Sequence, residues 1–66
     1  MNKVREIRLS QGVSQTALAR KLKMAAPNLS VVERERAVPS ERLKKRIARA
    51  LKTPVDVLFP EAKDER

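Results

Sequence analysis

The 66-residue chain reads as an all-α domain, a compact bundle of five short helices. Three observations lead there. Between Gln15 and Arg34, Leu18, Ala19 and Leu22 fall at helical spacing, Met24 follows in a break, and Leu29 and Val32 resume the spacing. Serine, proline and glycine stand where helices should start or stop. No segment carries a clear strand signal. The one competing segment is Val55 to Phe59, apolar enough for a strand, where Thr53-Pro54 and Asp56 favour a helix.

Each element has its own warrant. The first helix is expected over Lys3 to Gln11, with Val4 and Ile7 as its apolar stripe and Leu9 to one side. Gly12 can take the left-handed conformation that ends a helix, and Val13 turns back to the core. Ser14 is a suitable N-cap for a second helix over Gln15 to Leu22. The third helix is expected from Ala26 to Arg34. Pro27 is tolerated in its first turn, where no backbone donor is needed, and Ala25 is a poor cap. Ser40 caps a fourth helix whose buried face is Leu43, Ile47, Ala48, Ala50 and Leu51, with Glu41 at its positive end. Thr53 is expected to cap a last short helix, with Pro54 at its first position and Asp56 completing an acidic capping box. Pro60 stops it. Residues 1–60 thus form one domain, and residues 61–66 are expected to be a disordered tail.

Charge is distributed unevenly. Residues 1–52 hold 14 Lys and Arg against 4 Asp and Glu, a net of +10, and residues 53–66 carry a net of −2. The positive field belongs to the helical body, and a basic body of this density favours nucleic acid over an anionic membrane. Two short amphipathic helices joined by a tight turn make a helix-turn-helix, whose second helix can enter the major groove of duplex DNA.

Several functions are excluded. The chain has no cysteine and no histidine, so disulfide staples, zinc fingers, thiol nucleophiles and His-dependent triads are absent. The acidic residues are scattered and suit ion pairs and caps, not paired-carboxylate catalysis. A single glycine cannot build a glycine-rich phosphate loop. Phe59 is the sole aromatic residue, so no stacking platform for single strands exists. No apolar run approaches the ~20 residues of a membrane span. The chain is expected not to be an enzyme, to use no cofactor, metal or small-molecule ligand, and to be a cytoplasmic, nucleoid-associated protein of prokaryotic or phage origin.

The chain resembles the phage-repressor and Cro-like helix-turn-helix family, also called the Xre family. Gln15 opens the second helix as in that family, and Leu18-Ala19, Leu22, Met24, Leu29 and Val32 match its apolar positions. Glu33 follows as usual. Val38-Pro39-Ser40 resembles the entry to the fourth helix, Ile47-Ala48-Arg49-Ala50-Leu51 its body, and Asp56 to Phe59 the ending. The likeness spans Val4 to Phe59. Three departures stand out. The family usually has glycine where this chain has Lys23 and Glu35, and Ser or Thr where it has Ala25.

The resemblance implies a sequence-specific regulator of transcription, a repressor by preference, reading double-stranded DNA as a homodimer. The matching base-facing residues are Ala26, Pro27, Ser30 and Val31, with Asn28 beside them. That set favours thymine methyl groups over guanine, because only Asn28 can make a bidentate base contact. Phosphate contacts fall to Gln15, Lys23, Arg34, Arg36, Arg42 and Lys45. Arg8 is expected to pair with Glu33, partly buried. The apolar end, Val57, Leu58, Phe59 and Pro60, is the expected dimer surface; the competing expectation is that these residues only close the small core, which is favoured for Val55 and Leu58. The competing reading is an antitoxin-like module that uses the same fold to bind protein.

Overall fold

The computed structural model describes residues 2–60; the tail expected over 61–66 lies outside them. Five helices follow one another: α1 (Val4–Ser10), α2 (Gln15–Lys21), α3 (Ala26–Glu33), α4 (Glu41–Leu51) and α5 (Val55–Leu58). The described residues contain no strand, so Val55 to Leu58 resolves as helix. α2 packs on α3, α1 on α4, and α4 on α5. One core joins all five: Val4, Leu18, Ala19, Leu22, Leu29, Val32, Ile47, Ala48, Leu51, Leu58 and Phe59. Ala19, only 2 % exposed, is small enough to let α2 and α3 approach closely.

Helix starts follow the serines. The Ser14 hydroxyl accepts from the Ala17 amide at 3.0 Å and the Ser40 hydroxyl from the Leu43 amide at 3.1 Å. Each satisfies an otherwise orphaned donor, worth about 1 kcal/mol. α3 begins at Ala25 with no side-chain cap and with proline in its first turn. The expected cap at Thr53 is corrected. Pro54 occupies the N-cap of α5, and the Thr53 hydroxyl turns back to donate to the Leu51 carbonyl at 2.9 Å. The start of α5 therefore closes the end of α4 instead.

Helix ends share one device. After each of α1 to α4 a residue with positive φ reverses the chain: Gly12 (71°), Lys23 (57°), Glu35 (62°) and Lys52 (53°). The next amide then donates back to a carbonyl five residues earlier: Val13 to Arg8, Met24 to Ala19, Arg36 to Val31 and Thr53 to Ala48, all at 3.0 Å. These are Schellman closures, which favour glycine at the left-handed position. Three of the four have a side chain there, each at a cost of about 1 kcal/mol.

Candidate nucleic-acid interface

α3 is held by its inner face. Leu29 and Val32 are buried, and the Glu33 side chain is 3 % exposed. The helical period then turns Pro27, Asn28, Val31 and Arg34 outward, and all four are exposed. The expected base-facing set accordingly divides. Pro27, Asn28 and Val31 form the outer edge, Ser30 is half-buried, and Ala26 is half-buried against the core.

Behind α3 lies a buried ion pair. Arg8, 5 % exposed, donates from Nε to Glu33 Oε2 at 2.8 Å and from Nη2 to Glu33 Oε1 at 3.1 Å. Its Nη1 donates to the Val13 carbonyl at 3.0 Å. Such a forked, charge-assisted pair fixes orientation as well as distance. Gln15 joins it, its Nε2 donating to Glu33 Oε1 at 3.2 Å. One carboxylate thus ties α1 to the start of α2 and the end of α3, and so sets how the two helices of the motif present their outer edge. Because the carboxylate takes one amide proton of Gln15, the second remains for an outside acceptor.

Apart from Gln15, the expected phosphate ligands are cations without carboxylate partners among the described residues. Lys23, Arg34, Arg36, Arg42 and Lys45 are all exposed, and none bonds an acid among the described residues. Lys23 projects from the α2–α3 turn, Arg34 and Arg36 from the end of α3, Arg42 and Lys45 from the first half of α4. Lys44 is different. Its ammonium lies 5.6 Å from the Phe59 ring centroid and 3.6 Å from Glu41, so it packs on the core.

Three polar residues have roles that the sequence reading missed. Asn2 accepts the Val4 amide at 3.2 Å and donates to the Val32 carbonyl at 3.0 Å, joining α1 to the end of α3. Its signal was present: an asparagine just before a helix is a good cap. Gln11 donates to the Leu51 carbonyl at 2.7 Å, and Arg46 to the Leu22 carbonyl at 2.6 Å. Both satisfy helix-end carbonyls across the fold, and no local pattern marks such pairings.

The apolar C-terminal end is mostly spoken for. Leu58 is fully buried and Phe59 is 6 % exposed, so both belong to the core of this chain. The expected dimer surface is corrected to that extent: a side chain without accessible area offers none to a partner. Val57 remains exposed and Pro60 half-buried.

No cluster of metal-ligating residues occurs among the described residues, and no helix there is long and apolar enough to cross a membrane. A family model described as helix-turn-helix matches residues 4–58, from the first residue of α1 to the last of α5. No curated protein matches the chain.

Proposed function

The chain belongs to the phage-repressor, Xre-type helix-turn-helix family of DNA-binding regulators, and from that premise we propose that it represses transcription by reading a specific duplex with α3. The carrying observation is the outer edge of α3. Pro27, Asn28 and Val31 are exposed, and five cations with no carboxylate partner among the described residues stand on the turn before it, its own end, the loop after it and the start of α4. Bases are read by that edge and phosphates by the cations, which fix register without carrying sequence information.

Within this reading Pro27 and Val31 pack on thymine methyls, and Asn28 is the one side chain able to bond an adenine edge bidentately. Ser30 and Ala26 sit at the base of the edge. Gln15 turns its remaining amide proton to a phosphate. Arg36 and Lys23 flank the groove, Arg34 lies at the end of α3, and Arg42 and Lys45 reach the same strand. Two copies bind half-sites about one helical turn apart, meeting through Val57 and Pro60. The site of action is the cytoplasm, wherever the duplex lies.

Selection of duplexes from a random pool tests this directly. The expected outcome is a near-palindromic motif in which thymine and adenine substitutions cost most, about 1–3 kcal/mol per position. A pool that yields no motif, or a motif carried by guanines, overturns the assignment of bases to α3.

A further inference from the structure

A second cationic surface adjoins the proposed duplex surface. On α4, Arg42, Lys45, Arg46 and Arg49 project within an arc of roughly 100° and all are exposed. The proposed duplex surface uses the first two. The stripe then continues into an open groove of ≈ 360 Å³ lined by Lys21, Leu22, Arg46, Arg49 and Ala50. Lys21, Arg46 and Arg49 bond no carboxylate among the described residues. Arg46 is already pinned, with Nη2 on the Leu22 carbonyl at 2.6 Å, and its other donors are free of that bond.

We propose that this groove docks an acidic segment of another protein, one that carries an apolar residue among carboxylates. Two features select that occupant. The first is the floor: half-buried Ala50 and the aliphatic stems of Lys21, Arg46 and Arg49 offer apolar surface that a phosphate backbone does not match and a leucine side chain does. The second is placement. Gln15 and Glu41 begin the two helices whose starts carry the proposed phosphate contacts. Lys21 lies about 9 Å further along α2 and Arg49 about 12 Å further along α4. The groove therefore lies toward the far ends of both helices, at the margin of the proposed duplex surface that Lys23 and Lys45 mark, with Lys21 and Arg49 outside that surface. A carboxylate-rich partner pairs with three cations there and seats an apolar side chain between them. Docking itself needs no duplex, and the choice of a protein occupant rests on the duplex surface proposed above.

The probe is a short synthetic peptide in which leucine recurs among glutamates at helical spacing, with an all-glutamate peptide, inorganic phosphate and a random duplex as comparisons. Backbone amide shifts of the full chain are followed at ~0.15 M salt, where charges beyond ~8 Å are largely screened. The expected result is shifts at Lys21, Leu22, Arg49 and Ala50, and tighter binding of the leucine peptide than of the all-glutamate one. The double variant Lys21→Glu with Arg49→Glu lowers that affinity about tenfold or more, as expected for reversing charges at an interface. Far-UV circular dichroism confirms that it folds. The milder pair Lys21→Gln and Arg49→Gln keeps duplex affinity within about threefold, since those charges lie off the duplex surface. Three outcomes overturn the proposal: shifts absent from the groove, equal binding of the all-glutamate peptide, or a duplex loss in the glutamine pair as large as that in Arg36→Ala. The last would make the groove part of the duplex surface.

Discussion

Replacing Glu33 by alanine leaves the Arg8 guanidinium in place with its main partner gone. Arg8 is 5 % exposed and keeps only the Val13 carbonyl. The bonds from Arg8 Nε and Nη2 are lost, together with that from Gln15 Nε2. Stranding one member of a buried ion pair costs about 3–5 kcal/mol. A chain of this length has a total stability of about 3–10 kcal/mol. Glu33→Ala should therefore remove about a third or more of it and lower Tm by about 12–40 °C, at the ~4–8 °C per kcal/mol typical of small domains. The variant Arg8→Met with Glu33→Leu removes both charges and fills the space with apolar atoms. It should recover to within ~2 kcal/mol of the original chain, because the cost lies in the orphaned charge and not in the absent pair. Urea unfolding followed by far-UV circular dichroism measures all three, since a chain without tryptophan or tyrosine gives little fluorescence signal. A Glu33→Ala variant within ~0.5 kcal/mol of the original, or a double variant no more stable than Glu33→Ala, would refute the reasoning.

Other consequences are smaller and separable. Lys23→Gly and Lys52→Gly should each stabilise the fold by up to ~1 kcal/mol, read from the urea midpoint, because glycine relieves a left-handed side chain. Glu35→Gly should gain less, since the Glu35 carboxylate accepts the Asn2 amide at 2.6 Å. Ser40→Ala should cost about 1 kcal/mol in the same assay by orphaning the Leu43 amide. Arg36→Ala should weaken all duplexes alike and make the salt dependence of log K shallower by about one unit. A loss confined to one sequence would give Arg36 a different role.

The helices were legible because their signals are local. Ser14 and Ser40 sit where a hydroxyl reaches the first orphaned amides, and Leu18, Leu22, Leu29 and Val32 repeat at the helical period and end in the core. The glycine-like positions of Lys23 and Glu35 were readable only from the family pattern, and Lys52 not at all, because neither composition nor spacing marks a left-handed lysine. Thr53 misled for a related reason. A hydroxyl before a proline looks like a cap, yet the Leu51 carbonyl, orphaned at the end of α4, was the nearer partner. The site divides along the same line. Exposure of Pro27, Asn28 and Val31 follows from the period of α3. The reach of Arg46 to Leu22 and of Gln11 to Leu51 depends on how helices distant in sequence are packed. The apolar end was ambiguous for the same reason. Val57 and Leu58 are neighbours in sequence, and only the packing of α5 on α4 decides which one is buried.

The most direct measurement of the central claim is competition binding at ~0.15 M salt. The full chain is held at a concentration that permits pairing and challenged with a selected duplex against shuffled duplexes of equal length and composition. Preference for the selected duplex by about a thousandfold or more, lost steeply as salt rises, is the expected result. Equal affinity for the selected and shuffled duplexes would contradict the claim that α3 reads bases.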